Sequence, residues 1–161
     1  SEAHLSGANV GAGAGHFDWR LSLNHHAPET ISRLRARSVL GGRSFGAVQG
    51  GVSVAQAAQK ADSHQMAKAL LLSSQAQSVH KPELEIFADD VKCGHGAATG
   101  ALNPDQLFYL RARGIAETEA RHILVEGFLE EIVEGLPDGM LHDASEAALR
   151  RLLVLAIGGT A

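Results

Sequence analysis

Between Thr30 and Leu40 the chain alternates: Leu34, Ala36, Ser38 and Leu40 share one parity, Arg33, Arg35 and Arg37 the other. Side chains of an extended strand alternate between two faces, so this stretch is expected as a half-buried strand with an arginine row facing solvent. Turn-forming pairs then recur at intervals of roughly 8 to 12 residues, the spacing of short stacked strands. They are Gly41-Gly42, Gly50-Gly51, Asp62-Ser63, Ser73-Ser74, Lys81-Pro82 and Asp89-Asp90. Between them lie the apolar stretches Phe45–Val48, Val52–Val54, Leu70–Leu72 and Leu84–Phe87. The spacing fits a sandwich, a barrel or a solenoid. One detail favours a solenoid with corners: Leu84 and Ile86 share one parity while Val91 and Cys93 share the other. A bend at Ala88-Asp89-Asp90 produces that phase shift.

Past residue 102 the period changes to that of a helix. Asn103-Pro104-Asp105-Gln106 is a helix start, with Asn as cap, Pro in the first position and Gln placed to reach back. This first helix is expected to stop at Gly114. A second is expected from about Thr118 to Leu136, with Leu124, Phe128 and Ile132 on one stripe and Val125, Leu129 and Val133 beside it. A third begins near Asp143, carries Leu149, Leu152, Leu153 and Ala156, and closes at Gly158-Gly159. Three amphipathic helices are too few for a generous core, so the tail must lean on the strands or on a partner. Residues 1–15, rich in Gly and Ala, are expected to be loop-like and flexible. The abrupt start suggests a piece of a longer protein.

The chain has 161 residues, 45% of them hydrophobic and 20% charged, as in soluble globular proteins. No apolar run is long enough to span a bilayer. The formal charge of −4 gives no footprint for nucleic acid. Residues 1–102 hold nine Lys/Arg against eight Asp/Glu, and the remainder five against ten, so the acidity sits in the helical tail. One cysteine, Cys93, excludes an internal disulfide framework and fits a reducing cytoplasm.

Cys93 and His95 stand two apart, so an extended strand points both to one face, where they offer two ligands to a metal. Two ligands do not complete a site, and the alternative is a small inward thiol beside Val91 with His95 bonded at a turn. The other histidines are scattered; His25-His26 face opposite ways on a strand, and His122 is expected on the helix surface. Asp89-Asp90 reads as turn chemistry, and the arginine row as a solvated face. Gly11–Gly15 lacks the Lys-Ser/Thr ending of a phosphate loop, and no nucleophile elbow occurs.

Residues His80 to Ala97, including Asp89-Asp90-Val91-Lys92-Cys93-Gly94-His95, resemble the SufB/SufD family, and Asp105 to Gly114 continue the likeness. Gln59-Lys60-Ala61-Asp62, Leu70–Ser73 and, more loosely, Asn24–Thr30 are similar to it as well. Gly96 after His95, where the SufB-like branch tends to have Glu, and the run to Cys93 read as SufD-like. Met66–Ala69 departs toward apolar residues, and Gly94 stands where Ser is common. The resemblance implies a mainly β protein: a right-handed parallel β-helix over residues 1–102, followed by a helical subdomain over 103–161. It also implies a cytoplasmic scaffold, not an enzyme, that pairs with a SufB-like subunit and docks a SufC-like ATPase through its helices.

On that resemblance His95 and Cys93 fall at the subunit interface, where an iron ion or nascent iron–sulfur cluster is handled transiently with no cofactor held stably. The docking surface would include Leu107, Phe108, Tyr109, Arg111, Arg113 and Phe128. The alternative is a purely structural or interaction solenoid with no metal role. A stack cut open at Ser1 is further expected to pair with a second copy of itself.

Overall fold

The structure, a computed structural model, describes residues 1–158, with side chains through Val154. Ala156 and Gly159, expected in the last helix's stripe and at its close, lie outside the described side chains and residues. Seven ten-residue strands come first: β1 (Glu2–Gly11), β2 (His16–His25), β3 (Ile31–Leu40), β4 (Phe45–Val54), β5 (Asp62–Leu71), β6 (Gln77–Ile86) and β7 (Lys92–Ala101). Three helices follow: α1 (Pro104–Arg111), α2 (Glu117–Glu130) and α3 (Met140–Gly158). Odd strands form one parallel sheet, β1-β3-β5-β7, and even strands another, β2-β4-β6. The chain therefore coils as a two-sided parallel β-solenoid, each coil laying one strand on each sheet.

Every ladder is parallel, and each position pairs with the one a coil later: Ile31 with Asp62, Phe45 with Gln77, Asp62 with Lys92. Identical faces thus stack as columns. Leu34, Ala36 and Leu40 of β3 and Val48, Val52 and Val54 of β4 point inward and are buried. The corners stack too. Gly13 and Gly42, at φ of +61° and +60°, turn successive coils alike. Opposite them, Glu29 and Lys60 take the same left-handed conformation, and the Glu29 N–H donates to the Gln59 carbonyl.

The solenoid agrees with the expected class, and five local expectations are corrected. Residues 1–15 are not a flexible loop: β1 and the turn into β2 occupy them, because pairing with β3 outweighs the weak strand preference of Gly and Ala. Gly50-Gly51 does not break a strand; β4 runs through it as one element. The inward Gly50 leaves room for the Gln65 amide, which donates to the Glu83 carbonyl at 3.2 Å and ties the sheets together. Lys81-Pro82 lies inside β6, where an edge strand tolerates a missing N–H. Asp62-Ser63 opens β5 instead of separating strands.

The arginine row is the fifth correction. Burial alternates along β3 only as far as Ala36; beyond it Arg37, Val39 and Leu40 are all buried. The cause is the helical subdomain, which lies on the outer face of the odd-strand sheet. Val39 and Leu70 form one core there with Val125, Leu129, Val133, Leu149 and Leu153. Arg37 is 3% exposed, donates to the Glu131 carboxylate and lies over the Phe128 ring. α1 starts as its sequence requires: the Asn103 side chain accepts from the Asp105 N–H at 2.8 Å. α2 ends at Glu130, and the expected last residues to Leu136 continue as turns that still bury Ile132 and Val133.

Candidate functional site

The last coil carries the candidate chemistry. β6 and β7 are the outermost strands of their sheets, so each offers an unpaired edge. On β7 the parity that continues the interior belongs to Cys93, His95, Ala97 and Thr99, whose ladder partners on β5 are Ser63, Gln65, Ala67 and Ala69. Cys93 and His95 therefore share a face, as their spacing predicts. They differ in burial. Cys93 is half-buried against the cluster of Val52, Val54, Ala58, Ala61 and Ala88. His95 is exposed. Burial pushes the Cys93 thiol above its ordinary value; the Ser63 backbone N–H opposes this and the Asp62 carboxylate reinforces it. Among the described residues no three His, Cys, Asp or Glu side chains gather closely enough to hold a metal.

A hydrogen-bonded chain lies behind Cys93 and ends at Ser63, its ladder partner. His25 is 6% exposed, with Nδ1 2.6 Å from Thr30 Oγ1 and Nε2 2.9 Å from Ser32 Oγ. Ser32 Oγ lies 2.7 Å from Ser63 Oγ one coil later. Proton directions follow from the donor count. Thr30 spends its hydroxyl proton on the Ala27 carbonyl, so it accepts from His25 Nδ1–H. His25 Nε2 then accepts from Ser32, and Ser32 accepts from Ser63. Ser63 is left with lone pairs only, on the column where Cys93 comes next. Desolvation lowers the His25 pKa and favours this neutral state. His25 is thus an interior residue while His26 is exposed, so the two face opposite ways as their adjacency predicts. The missed signal was the coil repeat, which sets Ser32, Ser63 and Cys93 in one column.

A second interior histidine, His80 on β6, contacts Ser78 Oγ at 3.2 Å through Nε2, while its buried Nδ1 has no partner among the described residues. Asp89 and Asp90 are exposed in the corner between β6 and β7, where the Asp90 N–H donates to Gln59 Oε1 at 3.0 Å. His122 is exposed on α2.

The six helical residues named for docking do not share one surface. Phe108 and Tyr109 are 73% and 55% exposed, and the Arg113 guanidinium stacks 3.4 Å from the Tyr109 ring centroid. Arg111 pairs with Glu117 at 3.3 Å, and Leu107 is half-buried. Phe128 turns the other way, into the core beneath Arg37.

The sequence that builds these coils matches a known family. A family model described as the SUF system FeS cluster assembly, SufBD core domain, matches residues 1–128. The chain belongs to the SufBD family. An iron–sulfur cluster assembly SufBD family protein of Synechocystis is 39% identical over 117 residues, 73% of this chain and 25% of that protein. The iron–sulfur cluster assembly protein SufD of Escherichia coli is 37% identical over 75% of the chain and 29% of its own length. Protein ABCI7, chloroplastic, of Arabidopsis thaliana is 38% identical over 83% of the chain and 28% of its own length. This SufBD chain thus spans between a quarter and a third of these relatives. No described helix is long and apolar enough to cross a membrane.

Proposed function

We propose that this SufBD chain is part of a scaffold subunit whose last coil meets a SufB-like subunit and whose helices dock a SufC-like ATPase. Family membership supports a role in iron–sulfur cluster assembly. The observation that carries the finer reading is the exposed His95 imidazole on the outermost strand, with unpaired edges beside it. An edge strand pairs readily with a strand of another chain, and such pairing brings the partner's ligands to His95. The iron or nascent cluster is cargo, held briefly between the two chains. His95 is the principal donor of this chain; Cys93, packed and with a raised thiol pKa, is the weaker one.

The subunit is no enzyme in this reading. ATP hydrolysis belongs to the docked partner, and the rigid solenoid conveys its movement to the terminal coil, in a reducing compartment such as the cytoplasm. The test is His95→Ala in the full-length subunit, co-expressed with its SufB-like and SufC-like partners. A complex of unchanged size with several-fold less cluster formed supports the role. Full cluster formation in an intact complex removes it and leaves the structural module.

A further inference from the structure

The arginines of β3 are matched unevenly with acids. Arg33 pairs with Asp62 at 2.8 Å, and Arg37 pairs with Glu131. Arg35, between them, has no carboxylate partner among the described residues. With Arg33 it fronts a cleft of about 270 Å³ between β1, β3 and the α2–α3 turn, and of the two it is the one without a carboxylate. His4, Ser6, Arg33 and Arg35 line one side; Ser145 of α3 and Gly135 stand on the other. No Asp or Glu lines it.

The placement follows from the sheet. Ser6 is the ladder partner of Arg35, and His4 that of Arg33, so all four side chains leave the same outer face. Arg33 is braced by the Asp62 and Ser32 carbonyls at 3.0 and 2.9 Å, and His4 by Glu2 at 2.6 Å. The Ser6 and Ser145 hydroxyls have no hydrogen-bond partner among the described residues. At Gly135 an added Cβ would lie 3.3 Å from Arg35 Nη1, so the missing side chain keeps the guanidinium's approach to the cleft clear. The walls beyond are apolar, from Ile132 and Leu136, which lowers the local dielectric and strengthens any charge-assisted hydrogen bond made there. A guanidinium fork and two hydroxyl donors around a small cleft are the donor set of an oxyanion site.

We propose that this cleft binds a small oxyanion, a phosphate or a carboxylate, with Arg35 as its principal ligand and the Ser6 and Ser145 hydroxyls as auxiliary donors. The bound anion supplies the negative charge that the row lacks at Arg35, and it bridges the sheet to the helical subdomain. The proposal does not depend on the cluster-assembly reading, and its failure would leave that reading untouched.

The test is calorimetric titration of the full chain with inorganic phosphate and, separately, with succinate, at constant ionic strength. Four proteins are compared: the natural sequence, Arg35→Gln, Ser145→Leu, which fills the cleft without altering charge, and Arg43→Gln, an exposed turn arginine outside it. The expected result is saturable binding of at least one anion. It should weaken about tenfold or more in Arg35→Gln and in Ser145→Leu and stay unchanged in Arg43→Gln. Whichever anion binds tighter assigns the site to phosphate or carboxylate. Circular dichroism without anion verifies that each variant is folded. Absence of saturable binding, equal weakening in Arg43→Gln, or full retention in Ser145→Leu would each overturn the proposal.

Discussion

Arg37 of β3 and Glu131 at the end of α2, 94 residues apart, form the ion pair that fastens the helical subdomain to the solenoid. Arg37 is almost wholly buried, with the Phe128 ring over it, while Glu131 is partly exposed and also reached by Lys68 at 3.5 Å. Glu131→Gln leaves a buried guanidinium without its counter-charge, and the expected loss is about 2 kcal/mol, reduced from fully buried pairs by the exposure of the carboxylate. Urea unfolding measures it. A double change of Arg37 and Glu131 to Met should cost less than Glu131→Gln alone. The Arg37 bond holds the Glu131 carboxyl below its ordinary range. Its contribution is therefore complete above the ordinary glutamate value and is lost as pH falls through the lower folded one.

That pair also shows where the sequence stopped being legible. The parity of Thr30–Leu40 revealed the strand and its inner face, because inward burial obeys a local period of two. It did not reveal that the outer face is covered, since the cover comes from helices almost a hundred residues away. Gly50-Gly51 and Lys81-Pro82 look like breaks locally and are strand interior because the neighbouring coils impose register on them. Cys93 and His95 were legible as a same-face pair, and the different burial of the two was not. Burial there depends on where the even-strand sheet stops, which no spacing within β7 encodes.

The interior histidines make stability depend on pH in the neutral-to-acid range. Desolvation lowers the pKa of both His25 and His80, so between their folded values and the unfolded value of about 6.5 the unfolded chain binds more protons. Stability is then full above that value and falls as pH drops below it. Thermal unfolding from pH 8 to 5 should show the decline, and His25→Gln with His80→Gln should flatten it. His25→Ala should also cost about 1–3 kcal/mol at pH 7.5, because Ser32 and Thr30 lose partners inside the coil. An unchanged melting temperature would mean that water replaces the imidazole without cost.

Cys93 should behave as a sluggish thiol. Burial is the main cause of its raised pKa, and only the thiolate attacks an alkylating reagent. Iodoacetamide should modify the folded chain more slowly than free cysteine at pH 7.5, with a rate midpoint above the ordinary thiol value. In urea the rate should rise to that of the free amino acid. Rapid modification of the folded chain at neutral pH would contradict the packed position.

Phe108 offers a test of ATPase docking that spares the fold. No residue of α1 is buried, and Phe108 is the most exposed of its large apolar side chains. Phe108→Asp should leave the melting temperature within about 0.5 kcal/mol equivalent of the natural protein, as surface changes generally do. On the proposed docking, it should also abolish co-elution of the full-length subunit with a SufC-like ATPase. Retained co-elution would move the docking surface away from α1.

Gly13 and Gly42 occupy the same corner one coil apart with the same backbone twist, yet substitution should separate them. Both have φ near +60°, so alanine at either incurs a left-handed penalty of roughly 1 kcal/mol. At Gly13 a Cβ meets nothing within 4 Å. At Gly42 it would stand 2.7 Å from the Gly13 carbonyl oxygen and 2.9 Å from its nitrogen. Those atoms cannot yield without moving the coil, because the Arg43 N–H donates to that carbonyl at 2.6 Å. Gly13→Ala should therefore lose about 1 kcal/mol and Gly42→Ala about 3, the excess being the displaced corner. Equal losses by urea unfolding would show that backbone twist alone accounts for both, and that the corner carries no steric load between coils.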